Sequence, residues 1–112
     1  KMVQEFAHQI HYCHLRNVII EDDGRSFVEV GHLNGRNNIV KIIDTLQKEE
    51  KRRQLEGRTD IEIPWRPDHG PLMFFERDAE NVEDIYPGYS LIGRYAGMSE
   101  LRGVIAAIQA QH

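Results

Sequence analysis

The sequence predicts an α/β fold with a parallel sheet, because strand-like apolar runs alternate with segments of helical periodicity along its 112 residues. A second observation is the motif Arg-Pro-Asp-His-Gly at residues 66–70, directly after the strand-like run at residues 61–65. An acid, an imidazole and a glycine at the carboxyl end of a strand are typical of an active site in an α/β barrel. We interpret this corner as part of a metal-dependent lyase site, in which Asp68 binds a cation and His69 moves a proton.

The composition limits the classes of protein to consider. A mass of 13.0 kDa with 40% hydrophobic and 29% charged residues fits one small soluble domain. No apolar run approaches the ~20 residues of a membrane span, and the first residues lack a signal-peptide pattern, so we expect a cytoplasmic protein without membrane contacts. A net charge of −4 argues against a nucleic-acid partner. The single cysteine, Cys13, excludes an internal disulfide and is expected to be a buried strand residue.

The first third of the chain predicts a helix end followed by two extended runs. Residues 2–9 carry apolar side chains at helical spacing and are typical of the last turns of a helix. Residues 10–18 have the β-branched and aromatic content of a strand, and period-two alternation places His14 and Arg16 on the same face near its end. A polar turn then leads to a second extended run at residues 26–33, which the turn dipeptide Asn34-Gly35 closes.

Two helices are predicted in the remainder. Asn38 is a good N-cap for a helix that Gly57 ends, and the charged residues 48–53 are expected to form a solvated face of that helix. Residues 71–97 lack strong periodicity and are interpreted as an active-site loop. The last helix is expected over residues 99–111. Its apolar face, expected to pack outside a sheet, consists of Leu101, Val104, Ile105 and Ile108.

These elements make two consecutive strand–helix units. Two parallel strands alone leave a sheet face uncovered and sheet edges unpaired, so we expect the chain to be part of a larger α/β body.

Several short motifs occur together in one order along the chain. They are His-Leu-Arg-Asn at residues 14–17, Glu29 with His-Leu-Asn-Gly at 32–35, Arg-Pro-Asp-His-Gly at 66–70, Pro-Gly-Tyr-Ser at 87–90 with Ile-Gly-Arg at 92–94, and Glu-Leu-Arg-Gly at 100–103. In these motifs the chain resembles the C-terminal part of mannonate dehydratase. The resemblance implies a single (β/α)8-barrel catalytic domain, a TIM barrel, of which residues 1–112 supply roughly the last two βα units and long active-site loops. It also implies removal of water from D-mannonate to give 2-keto-3-deoxy-D-gluconate, with Mn²⁺ or Fe²⁺ as the metal.

The resemblance assigns roles to individual residues. It implies that His14 and Asp68 are metal ligands, and that the remaining ligands, a histidine and a cysteine other than Cys13, lie on strands upstream of this sequence. It makes His69 and Tyr89 the catalytic acid and base, without deciding which is which. Neutral imidazole and carboxylate ligands suit Mn²⁺ or Fe²⁺.

Substrate contacts are assigned from position and chemistry. Arg16 and Arg66 lie near strand ends and are predicted to hold the substrate carboxylate through paired hydrogen bonds. Glu29 and His32 are predicted either to bind sugar hydroxyls or to support the metal ligands. One departure concerns residues 36–38, Arg-Asn-Asn, where members of the family tend to carry aspartates. Any substrate or loop contact that those acids make is not expected in this chain.

Two other functions remain open. One is another metal-dependent sugar enzyme built on a barrel, such as an aldose–ketose isomerase, although such enzymes usually gather several carboxylates at their strand ends. The other is a non-catalytic piece that keeps the motifs without activity. Because two ligands hold a metal weakly, we expect negligible dehydratase activity from the 112 residues alone. Expected partners are the sugar acid and the upstream remainder of the barrel, and formation of a homo-oligomer is left open.

Overall fold

The computed structural model describes residues 1–67 and 91–111. The predicted site residues Asp68, His69 and Tyr89 therefore lie outside the described residues. In chain order the elements are α1 (Met2–Phe6) with a 3₁₀ turn (Ala7–Gln9), β1 (Cys13–Leu15), β2 (Asn17–Ile20), β3 (Phe27–Val30), α2 (Ile39–Leu55), β4 (Trp65–Pro67) and α3 (Leu91–Gln111).

Strands β1 and β4 form the predicted parallel pair. Their register places Cys13 opposite Trp65 and His14 opposite Arg66. The strand predicted at residues 61–65 begins later, at Trp65, and extends to Pro67. Pro64 has no N–H to donate, but its carbonyl accepts a hydrogen bond from the Cys13 N–H at 3.1 Å. This hydrogen bond comes directly before the first paired residue of β4, Trp65.

The strand predicted at residues 10–18 is interrupted at Arg16 and forms two strands with different partners. While β1 pairs with β4, β2 pairs in antiparallel fashion with β3 and makes a hairpin that the sequence analysis did not predict. Asp23 stabilises the hairpin turn, since its Oδ1 accepts the backbone N–H groups of Arg25 at 2.8 Å and Ser26 at 2.7 Å. Gly24, with φ of 69°, adopts the left-handed conformation that this turn requires.

Helix α2 begins and ends where the sequence predicts. The Asn38 side chain caps it by accepting the Lys41 N–H at 2.9 Å, and Gly57 follows its end with φ of 73°. Together with α3 it covers one face of the parallel pair. The core between these layers consists of Leu15, Ile39, Ile43, Leu101, Val104 and Ile108, with Cys13, Ile42, Trp65 and Ile105 packed against it. This confirms the predicted apolar face of the last helix.

Helix α3 starts at Leu91, eight residues before the predicted start at residue 99. The prediction that residues 71–97 form a loop is therefore wrong for residues 91–97. Gly93 and Gly97 explain the error, because glycine has a low helix propensity and both lie in the first two turns.

The charged run at residues 48–53 does not form a wholly solvated face, and that prediction is wrong for two of its members. Glu49 is buried, and Arg53 is completely buried. The Arg53 guanidinium donates hydrogen bonds to the carbonyls of Ala7 at 3.1 Å, Ile10 at 2.7 Å and Asp60 at 3.2 Å. Arg53 thus joins the segment that enters β1 to the segment that leads to β4.

Glu49 balances the charge of the buried guanidinium. Its Oε1 accepts hydrogen bonds from Arg53 Nε at 3.0 Å and Arg52 Nη2 at 2.8 Å. The hydrogen bond from Arg52, followed by that from Arg53, holds the pKa of Glu49 at about 2, against an ordinary value of 4.5. The carboxylate is therefore ionised throughout the neutral range.

The described residues form a mixed α/β arrangement in which two helices cover a parallel pair of strands and a hairpin extends from it. Within residues 1–67 and 91–111, no helix has the length and apolar character of a membrane span.

Candidate metal and substrate site

His14 and Arg66 share the face of the parallel pair that is turned away from the helices. They are register partners on β1 and β4, and both are exposed. Their chain neighbours Leu15 and Trp65 pack toward α2 and α3. Because side chains alternate along a strand and register partners share a face, His14 and Arg66 lie side by side on the open face.

The ring of Tyr12 extends this face toward the start of β1. Its centroid lies 5.2 Å from that of the His14 ring, with an interplanar angle of 62°. This edge-to-face contact is favourable and restricts the orientation of the imidazole. It also agrees with period-two alternation, by which residues two positions apart, such as Tyr12 and His14, lie on one face.

Arg16 and Glu29 form an ion pair next to β1. Arg16 Nη1 lies 3.0 Å from Glu29 Oε1, and Glu29 is held on β3 opposite Val18 of β2. The hairpin therefore positions a carboxylate against the guanidinium that was predicted to hold the substrate. The prediction that Arg16, Arg66 and Glu29 contact the substrate remains a prediction.

His32 is almost completely buried, with a relative exposure of 1%. Its Nε2 donates a hydrogen bond to the Leu15 carbonyl at 3.2 Å, while its Nδ1 lies 3.9 Å from Glu100 Oε2 on α3. Burial lowers the pKa of the imidazole, although the hydrogen bond to Leu15 and the Glu100 carboxylate act in the opposite direction. The two predicted roles of His32, contact with sugar hydroxyls and support of the metal ligands, stay predictions.

Asn17 fixes the segment that follows β3. Its Nδ2 donates to the carbonyls of His32 at 2.6 Å and Asn37 at 2.9 Å, and its Oδ1 accepts the Asn37 N–H at 2.9 Å. Gly35 lies against this amide so closely that a Cβ there would stand 2.2 Å from Asn17 Oδ1. The glycine of the turn dipeptide is therefore required by close packing rather than by a positive φ.

A cavity of about 450 Å³ lies along the edge of β1 that does not face β4. His14 and Arg16 line it, together with the first residues of α1 and the start of α2. Among the described residues, its lining carries the cationic side chains of Lys1, Arg16, Arg36 and Lys41 and includes no Asp or Glu.

Within the described part of the chain, no three His, Cys, Asp or Glu side chains gather closely enough to hold a metal ion. Of the predicted ligands His14 and Asp68, the structure describes His14. An imidazole on an open strand face is a suitable donor for a divalent metal such as Mn²⁺ or Fe²⁺. Cys13 is on the opposite face, half-buried against the core, and burial raises the pKa of its thiol. This placement fits the interpretation that Cys13 is not the ligating cysteine.

Asn17 and Glu100 emerge as residues that organise the site, although the sequence analysis gave neither a role. Both stand within the motifs on which the resemblance rests, at residues 14–17 and 100–103. Their contacts join positions 15 and 68 residues apart, so the local pattern carries no sign of them.

The described residues define a mixed α/β protein in which the candidate ligand His14 lies on the exposed face of a parallel pair of strands. The family model described as D-mannonate dehydratase (UxuA) matches residues 1–112. The chain therefore belongs to the D-mannonate dehydratase family.

Curated relatives are similar over nearly the whole chain. A mannonate dehydratase of Saccharophagus degradans is 49% identical over 99% of this chain. Mannonate dehydratase 2 of Agrobacterium fabrum is 44% identical over 98% of it, and a mannonate dehydratase of Rhizobium meliloti is 43% identical over 96%. The chain spans 28% of the first relative's length and 26% of the length of each of the other two.

Proposed function

We propose that this chain is the C-terminal portion of a (β/α)8-barrel mannonate dehydratase. The observation that carries the proposal is the pairing of His14 with Arg66 on the open face of two parallel strands. In a closed barrel the face opposite the helices is the barrel interior, and active sites lie at the carboxyl ends of the strands. The family membership and the share of the relatives' length that the chain covers support the same assignment.

In this proposal residues 1–112 belong to one catalytic domain, and the missing strands come from the upstream chain. Among the described residues β1 pairs only with β4, and in this proposal its other edge, beside the basic cavity, pairs with the preceding strand of the barrel. The same strands bring the histidine and the cysteine that complete the ligand set. The upstream chain is therefore the essential partner of the described residues.

His14 and Asp68 hold the divalent metal in this proposal. Asp68 is the residue that follows Pro67, and Pro67 is the register partner of Leu15, the neighbour of His14. One proposed ligand therefore lies on β1, and the other comes directly after β4 in the sequence. When bound, a metal such as Mn²⁺ or Fe²⁺ supplies Lewis-acid stabilisation of the negative charge that develops on oxygen.

The remaining residues bind the substrate and transfer the protons. Arg66, and Arg16 oriented by Glu29, bind the carboxylate of the sugar acid through paired hydrogen bonds. One member of the pair His69 and Tyr89 removes the proton from the carbon beside that carboxylate. The other protonates the departing hydroxyl, which leaves as water, and the resulting enol becomes the 2-keto product.

The experiment is an assay of D-mannonate with the complete protein in the presence of Mn²⁺. We expect a product lighter than the substrate by one water molecule, whereas an aldose–ketose isomerase does not change the mass of its substrate. The variants His69→Asn and Tyr89→Phe are expected to abolish turnover while Mn²⁺ binding is preserved. Full activity in both variants contradicts the assignment of the acid–base pair.

Two matched controls are available in the described residues. His11 and Tyr95 are both exposed. His11→Asn and Tyr95→Phe make the same chemical changes at exposed positions that have no role in the proposal, and they are expected to leave turnover unchanged. The isolated 112 residues are expected to have negligible activity, and turnover by this piece alone contradicts the requirement for upstream ligands.

A further inference from the structure

Glu100 connects α3 to the segment that follows β3. Its Oε2 accepts the backbone N–H of His32 at 3.1 Å, although the two residues are 68 positions apart. A Cβ at Gly31 would stand 3.4 Å from Glu100 Oε1, so the carboxylate lies close against the backbone of this segment. The contact therefore fixes where His32 lies relative to α3.

His32 in turn connects this segment to the carboxyl end of β1. A carbonyl can only accept a hydrogen bond, so the contact of His32 Nε2 with the Leu15 oxygen requires a hydrogen on Nε2. Leu15 stands between His14 and Arg16, and its own side chain is buried in the core. The imidazole thus holds the backbone at the point where β1 ends and the chain leaves for the hairpin.

We propose that His32 and Glu100 are positioning residues that hold the end of β1 so that His14 keeps the geometry required of a metal ligand. Glu100 fixes the backbone of His32, and His32 fixes the carbonyl next to His14. Neither side chain is proposed to contact the metal or the substrate. This inference rests on the proposed function, because it takes His14 as a ligand.

The test compares Mn²⁺ affinity with thermal stability in the complete protein, by calorimetric titration and by melting temperature. His32→Leu removes the donor but keeps an apolar side chain of similar size, and His32→Gln places an N–H near the position of Nε2. We expect His32→Leu to weaken Mn²⁺ binding by about 10-fold or more, as loss of supporting hydrogen bonds does around metal sites. We expect His32→Gln to recover most of this affinity.

Glu100 supplies a second pair of variants in case His32→Leu does not fold. Its side chain is 31% exposed, so a substitution there is easier to accommodate than one at buried His32. Glu100→Ala removes the acceptor for the His32 backbone N–H and is expected to weaken Mn²⁺ binding. Glu100→Gln keeps an acceptor oxygen, so we expect this variant to bind Mn²⁺ with nearly the affinity of the unaltered protein.

The outcomes separate this inference from the proposed function. Unchanged Mn²⁺ affinity in His32→Leu or Glu100→Ala, with or without a lower melting temperature, overturns the positioning role, provided that His14→Ala loses binding. Unchanged affinity in His14→Ala overturns the proposed function instead. Weaker binding in the alanine and leucine variants, with recovery in both glutamine variants, supports the positioning role.

Discussion

His14 and Arg66 are register partners on adjacent parallel strands, and both side chains lie on the face that the helices leave open. The two residues are 52 positions apart in the sequence, and the parallel pairing brings a proposed metal ligand beside a proposed carboxylate-binding cation. Each strand is followed at its carboxyl end by further candidate residues, Arg16 after β1 and Asp68 after β4. The proposed chemistry therefore depends on the register of this one pair of strands.

Replacing Arg53 tests the structural support at the opposite ends of these strands. Arg53→Met is expected to lower the free energy of unfolding of the complete protein by about 3 kcal/mol, because the carbonyls of Ala7 and Ile10 each lose a donor and buried Glu49 loses a cationic partner. Urea denaturation measures the change. Arg52→Met is the matched control, since the Arg52 side chain is 42% exposed, whereas that of Arg53 is completely buried, and its substitution is expected to cost less. Equal effects of the two substitutions contradict the role of the buried guanidinium.

The pKa of Glu49 predicts a loss of stability in acid. Hydrogen bonds from Arg52 and Arg53 hold this pKa at about 2, below the ordinary value of 4.5. A lowered carboxyl pKa stabilises the folded state fully above pH 4.5, and this contribution is lost as the pH falls from 4.5 toward about 2. We expect Glu49→Gln to flatten this part of the curve of unfolding free energy against pH. An unchanged slope in the variant argues against Glu49 as its source.

Gly35 and Gly103 predict opposite results for the same substitution. At Gly35 a Cβ would overlap Asn17 Oδ1 at 2.2 Å, so Gly35→Ala is expected to cost about 1–3 kcal/mol and to displace the segment that Asn17 holds. At Gly103, within α3, no atom of the described residues outside the adjacent helical backbone lies within 4 Å of the added Cβ, and Gly103→Ala is expected to stabilise by about 0.5–1 kcal/mol. The free energies of unfolding of the two variants measure both effects. A stable Gly35→Ala protein contradicts the tight packing at Asn17.

Local signals in the sequence were sufficient for the helix boundaries that depend on them. Asn38 and Gly57 mark the two ends of α2, because capping and a left-handed residue act within one turn of the helix. The start of α3 was missed because Gly93 and Gly97 weaken the helical pattern, although packing of the later turns against the core stabilises the helix.

Contacts between distant positions explain the other errors. The burial of Arg53 was not predicted, since its partners are backbone carbonyls of Ala7, Ile10 and Asp60. The pattern of residue types along the chain gives no information about hydrogen bonds to the backbone carbonyls of distant residues. The hairpin was missed for a similar reason: the run at residues 10–18 has continuous strand character, but its two halves pair with different strands.

For the site, alternation along the strand predicted which residues share a face with His14 but not that this face is exposed, and the buried position of His32 depends on contacts with Leu15 and Glu100. The residue types therefore indicated the chemistry, and the tertiary contacts distinguish residues on the open face from residues that support it.

The most direct test of the central claim is the Mn²⁺ affinity of the complete protein with His14 replaced by alanine. His11→Ala is the matched control, because His11 is exposed and its Nδ1 lies 3.8 Å from Asp60, near the start of β1. We predict that His14→Ala binds Mn²⁺ at least about 10-fold more weakly than the unaltered protein, while His11→Ala binds it normally. Normal Mn²⁺ affinity in His14→Ala would contradict the assignment of this strand to the metal site.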